Sequence, residues 1–377
     1  MRLRRIRFLI LFFMGVGLQV THAVTPDSLQ PSVGFSISST YGFLIAHRDA
    51  LLPLQQEHLI SVESSVFFTT TGKHPWERSF LCPEKGLHVS WLRPGSRDRL
   101  GNAIAVFPYL DFPLNNHPGR HLWFRYGIGL GYVEHVFDPV ENFRNVAIGS
   151  HLNGVIHFGI NYRTPLSERS VVEAGFHLTH FSNGSFSMPN LGINLPAIAL
   201  TYRFGGDGPE RIVAKDSSWN THRSATISLM GAFAWKETYP IGGPKYQAAT
   251  ISGTYCFSTN KRHDWGIGAD LFYDNSLSAR NRSLRLDSAA SVDFRPGIHG
   301  AWQLKINKLG LLFNMGFYPY TEYKNDGYFY HRIGLRYDFG RLFACMQLKT
   351  HYARADFVEW GIGWNIKTGK KDVTAHD

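Results

Sequence analysis

From His121 to Val133 the chain alternates without a break. Leu122, Phe124, Tyr126, Ile128, Leu130 and Tyr132 form one row, and His121, Trp123, Arg125, Gly127, Gly129 and Gly131 form the other. A period of two places successive side chains on opposite faces of a strand, so this segment predicts a β-strand with one apolar face and one face of charge and glycine. The same pattern returns from Val155 to Tyr162, where Ile156, Phe158, Ile160 and Tyr162 oppose His157, Gly159 and Asn161, and again from Trp265 to Tyr273. No segment carries a convincing helical period. The fold class is therefore all-β.

Eight such strands are expected up to Phe204, near 33–46, 58–69, 86–92, 102–110, 121–133, 146–162, 169–182 and 191–204. A polar, charged connection follows at 206–223, then six to eight further strands within 224–366 and a polar tail at 367–377. Segments of about ten residues, apolar on one face, polar or small on the other and aromatic near the ends, are the pattern of a transmembrane β-barrel. A soluble sandwich or a lipocalin-like barrel alternates in the same way with its apolar face inward. The N-terminus weighs against these: Arg2, Arg4, Arg5 and Arg7 precede an apolar run from Phe8 to Val20 and the small-residue site Thr21-His22-Ala23, which reads as a signal peptide over 1–23. The expectation is an antiparallel outer-membrane barrel, favoured as one barrel of about fourteen to sixteen strands. The alternative is an eight-stranded barrel over 24–205 followed by a second β unit.

Composition narrows the partners. Aromatic residues make up 14% of the chain and charged residues only 18%, with 37 glycines. No run after the signal segment approaches the eighteen or so apolar residues that a spanning helix needs. The formal charge of +10 includes the four N-terminal arginines and falls to +6 without them. That surplus suits anionic lipid head groups, and its scatter along the chain predicts no nucleic-acid partner. Cys82, Cys256 and Cys345 are odd in number and widely spaced, which suits neither a disulfide framework nor a metal knuckle.

The candidate chemistry lies in "THFSNGSFSMPNLGIN", Thr179 to Asn194, which joins the seventh and eighth strands. On the seventh strand Val172, Ala174, Phe176, Leu178, His180 and Ser182 share parity, while Glu173, Gly175, His177 and Thr179 face the other way. Asn194 shares parity with the apolar row Ile198, Leu200, Tyr202 and Phe204 of the eighth strand. His180, Ser182 and Asn194 are thus expected together on the lipid-facing surface near one rim, where polar side chains are costly unless used. A serine becomes nucleophilic when a base takes its proton, and the base needs a third group to fix its tautomer. Donors for an oxyanion are available from Asn183, Asn190 and the backbone near Gly184 and Ser185. His157 and His177 fall on the lumenal rows and are expected as interior hydrogen-bonding residues. His351, with Asp356 five residues on, is expected as a plain pair at a strand end.

Together, His180-Phe181-Ser182-Asn183, Pro189-Asn190 and Gly192-Ile193 resemble the PagL-type lipid A 3-O-deacylases, and the glycine-patterned strands over about 120–205 are similar to theirs. The resemblance implies an eight-stranded outer-membrane esterase acting on lipid A, the lipid anchor of lipopolysaccharide, with Ser182 as nucleophile and His180 as base. It further implies Asn183 and Asn190 as oxyanion or positioning residues, and no metal or other cofactor. Two departures are plain. The family's triad glutamate would fall at Asn194, whose amide oxygen can accept a hydrogen bond from the imidazole N–H but carries no charge, so the same geometry with slower turnover is expected. Residues 206–377 have no counterpart in an eight-stranded barrel.

Overall fold

The computed structural model describes residues 31–115, 121–206, 225–283, 290–352 and 354–368. The signal segment expected at 1–23, the connection beyond Gly206 and the tail beyond Thr368 lie outside the described residues.

Sixteen strands run through the described chain. The first eight are β1 (Val33–Gly42), β2 (Leu59–Phe68), β3 (Glu84–Arg93), β4 (Ala103–Pro113), β5 (Leu122–Val133), β6 (Leu152–Ser167), β7 (Ser170–Ser182) and β8 (Ile193–Gly205). They pair in chain order, and β8 returns to β1 from Gly34↔Gly205 to Gly42↔Ala197. The second eight are β9 (Ala225–Lys236), β10 (Tyr246–Ser258), β11 (His263–Asp274), β12 (Phe294–Ile306), β13 (Leu309–Phe317), β14 (Phe329–Phe339), β15 (Leu342–His351) and β16 (Arg354–Lys367). They close in turn through β16 against β9, from Trp360↔Phe233 to Lys367↔Thr226.

The strand total matches the sequence expectation, but the favoured single large barrel does not form. The chain builds two closed eight-stranded barrels, the first of them the alternative that the sequence left open. The reason is edge pairing: β1 uses its free edge on β8, so β8 has none left to offer β9, and each set of eight satisfies its own backbone groups. The strand expected at 146–162 is shifted to Leu152–Ser167, because 134–151 folds as a rim loop pinned by Asn142 and Asn145 to the backbone of Arg99.

The two faces divide as the alternation demands. Ile37, Phe176, Ile198 and Leu200 in the first barrel, and Ile251, Ile267 and Ile362 in the second, are exposed on the outside. The interiors are filled with paired charge. In the first barrel Arg125 grips Asp111 through two hydrogen bonds of 2.8 and 2.7 Å, Arg163 reaches Asp111 at 2.7 Å and Glu173 at 2.5 Å, and Arg203 reaches Glu84 at 2.6 Å. In the second, Arg332 holds Glu359 at 2.7 Å and Asp270 at 2.9 Å. An eight-stranded barrel is just wide enough for side chains to fill it, and here they do.

Since every strand reverses the last, the connections after β1, β3, β5 and β7 gather at one rim of the first barrel. An apolar plug forms there from Leu44, Leu51 and Leu54 of the first connection, Leu100, Ala147 and Ile148 of the next two, and the inward residues Val133, Val155, Phe181 and Ile193. Phe181 is fully buried in it. That burial fixes the direction of its neighbours: with Phe181 anchored inward, His180 and Ser182 must point outward.

Candidate active site

The register of β7 and β8 sets His180 directly opposite Asn194. Cross-strand neighbours have Cβ atoms about 5 Å apart, close enough for their side chains to meet. His180 Nδ1 lies 2.7 Å from Asn194 Oδ1. An amide oxygen only accepts, so the proton resides on Nδ1 and the free nitrogen Nε2 carries the lone pair. The amide orientation is set in turn by His47, whose Nδ1 sits 3.2 Å from Asn194 Nδ2 and accepts from it. His47 comes within reach because the chain beyond β1 keeps pairing alongside β8, Ile45 N–H donating to Asn194 O at 2.9 Å.

The imidazole of His180 rests over Gly192, in the left-handed region at φ 82°. A β-carbon there would meet His180 Cε1 at 2.7 Å. Glycine is required at this position for both reasons.

Ser182 occupies a separate pocket two residues further along β7. Asn190 Nδ2 donates to its Oγ at 2.9 Å, and Gly184 N–H donates at 3.2 Å. Asn190 is oriented by Asn183 N–H, which donates to its Oδ1 at 3.1 Å. The Asn183 side chain turns away into the loop, donating to Ser150 Oγ at 2.8 Å and Ser187 O at 2.9 Å. Two donors thus converge on the Ser182 oxygen, and Asn183 helps to fix the loop that carries them. Among the described residues no hydrogen bond joins Ser182 to His180. Catalytic hydrogen bonds are often long or poorly aligned without substrate, and residues two apart on one strand share a face.

The remaining candidates lie elsewhere. Glu173 is buried in the interior, ion-paired with Arg163 and Arg203. His157 bonds Thr179 Oγ1 at 2.9 Å and His177 bonds Asn161 Oδ1 at 2.9 Å, both in the lumen. His351 is buried in the second barrel, 2.9 Å from Tyr318 OH and 3.6 Å from Asp356. Among the described residues no group of three or more His, Cys, Asp or Glu side chains is arranged to hold a metal. Sequence reasoning missed His47 and Ser150, because their contacts cross the barrel closure or link separate rim loops and leave no periodic signal.

Two family models match the chain, one on each barrel. "Lipid A 3-O-deacylase (PagL)" matches residues 61–203, and "Acyloxyacyl hydrolase, C-terminal domain" matches residues 223–368. The chain belongs to the PagL lipid A deacylase family. The PagL match runs from within β2 to within β8, and the second match assigns the half of the chain that the sequence resemblance left without a counterpart. No curated protein matches the chain. Among solved structures, a multiply substituted porin of Rhodopseudomonas blastica is 10% identical, covering 89% of this chain and 100% of the porin at a TM-score of 0.18. CdiB from Escherichia coli is 9% identical over 88% of this chain and 63% of its own, at a TM-score of 0.20. Scores this low carry no argument; the barrel fold rests on the strand pairing itself and the family on the two family models.

Proposed function

We propose that this PagL-family chain is an outer-membrane serine esterase that removes an ester-linked acyl chain from lipid A, after export by a cleaved signal peptide. The observation that carries the reading is the His180–Asn194 hydrogen bond on the lipid-facing surface, with a serine two residues on and its oxygen already met by two donors. An ester of a membrane lipid lies at the depth of a barrel rim, so a site on the outer face receives it without extracting it from the leaflet.

The chemistry assigns one task to each group. Ser182 Oγ attacks the ester carbonyl while its proton passes to Nε2 of His180. Asn194 keeps the proton on Nδ1 and steadies the imidazolium that forms, with Asn194 itself held by His47. The tetrahedral oxyanion is met by Asn190 Nδ2 and Gly184 N–H, the donors that now approach Ser182. His180 then protonates the departing sugar oxygen, leaving an acyl-serine that water hydrolyses by the same route in reverse. Asn183 acts as a positioning residue through Ser150 and Ser187.

Mass spectrometry of lipid A from cells expressing the protein tests this directly. The expected result is a species lighter by one ester-linked acyl chain with the wild type and none with Ser182→Ala. Identical acylation patterns from both proteins would sink the esterase reading.

The amide at position 194 leads to a second expectation. A charge-assisted hydrogen bond is roughly twice as strong as a neutral one, a gain of about 1.4 kcal/mol where it stabilises imidazolium. Asn194→Glu should therefore raise kcat about tenfold. His47→Ala should lower activity in the wild type, where it releases the amide, and leave the Asn194→Glu variant unaffected. A loss of activity in Asn194→Glu would mean that the pocket is built around the amide.

A further inference from the structure

The loop that supplies an oxyanion donor is held by the other barrel. After Ser182 the chain takes two successive residues in the left-handed region, Gly184 at φ 62° and Ser185 at φ 66°, and so turns outward from the first barrel. A β-carbon on Gly184 would stand 2.2 Å from Val358 Cγ2 on β16, so this backbone lies flat against the second barrel. Ser185 O accepts from Glu237 N–H at 2.8 Å, and Ser185 Oγ donates to Ala355 O at 3.1 Å. Met188 N–H donates to the Glu237 carboxylate at 3.2 Å. Lys245 pairs with that carboxylate at 2.8 Å, donates to Phe186 O and lies 4.7 Å from the centre of the Phe186 ring.

We propose that the second barrel acts as a clamp on the active-site loop, with Glu237 and Lys245 as positioning residues that hold Gly184 N–H on the reacting oxygen. This rests on the esterase reading and names how its site is kept in shape. The first barrel ties this segment at Asn183 and Ser187, through Ser150 and Gly149, while Ser185, Phe186 and Met188 between and beyond those ties find partners on the second barrel. Both barrels close on themselves, so no strand pairing joins one to the other. Burial alone would push the Glu237 carboxyl up; the Lys245 ammonium and the N–H groups of Gly242 and Met188 outweigh it and hold the carboxyl below the ordinary carboxylate range. It therefore stays ionised at neutral pH, where the clamp is closed.

The test uses the full chain in detergent, with lipid A as substrate and the faster gel migration of unboiled protein as the check that both barrels are folded. Misplacing a catalytic group by about 1 Å costs up to roughly a hundredfold. Glu237→Ala and Lys245→Met should lower kcat by about ten- to a hundredfold with KM within about twofold, while Lys245→Arg retains most of the activity. Hydrogen exchange at the Met188 amide should speed up in Glu237→Ala while the strands of both barrels stay protected. A folded Glu237→Ala protein with wild-type kcat, or with unchanged exchange at Met188, overturns the clamp. A wild type that leaves lipid A as intact as Ser182→Ala does overturns the esterase reading instead, and with it this use of the clamp.

Discussion

Removing the Ser182 hydroxyl is expected to lower kcat by on the order of 10⁴-fold, and removing the His180 imidazole from the same protein should then cost almost nothing more. The single His180→Ala variant should fall nearly as far as Ser182→Ala. Groups that act as a unit are non-additive, because a base without its nucleophile, or a nucleophile without its base, performs no step. Two polar residues that merely suited a hairpin rim would give small and independent losses instead. Initial rates on detergent-dispersed lipid A for the two single variants and the double variant decide between these outcomes, and additive losses would dismantle the dyad. The expectation matters because His180 and Ser182 are not hydrogen-bonded in this structure: His180 is turned to Asn194, and Ser182 to Asn190 and Gly184.

That division of partners also explains what could be read from the sequence. Parity alone placed His180 and Ser182 on one face and Glu173 on the other, because a strand has a period of two and Phe181 has one place to go, the apolar plug. It placed Asn194 on the same face, and the register then set it opposite His180. Closure was beyond its reach. Alternation tells which side a residue faces and is silent about which strand lies beside it, so one barrel of sixteen strands and two of eight have nearly the same pattern. The pairing of Gly34 with Gly205 joins residues far apart in the chain, and it decides the architecture. The same limit hid His47, brought to Asn194 by that closure, and Glu237, brought to Met188 by the second barrel. Local period brought His180 and Ser182 to one face, and contacts distant in sequence supplied the groups that surround them.

The largest expected effect on stability lies at the other end of the first barrel. Asp111 is fully buried and accepts from Arg125 through both oxygens and from Arg163 through one, with Arg203 at 3.7 Å. Glu84 and Glu173 complete a set of three carboxylates against three guanidinium groups. Asp111→Ala leaves three buried cations facing two anions, and breaking one side of such a network costs about 3–5 kcal/mol because the remaining charge has no compensation. Asp111→Asn should cost less, since the amide oxygen still accepts one bond from Arg125. Glu359, which pairs with Arg332 inside the second barrel, belongs to a separate network. Urea unfolding in lipid vesicles, followed by a reporter placed in each barrel, should therefore show the first barrel's transition moving to lower urea while the second's stays in place. The site at the far rim is anchored by Phe181 and the apolar plug, so Asp111→Ala protein that remains folded should keep its kcat. A shift worth less than about 0.5 kcal/mol, the size usual for a surface substitution, would mean that the three arginines draw their compensation from elsewhere in the lumen.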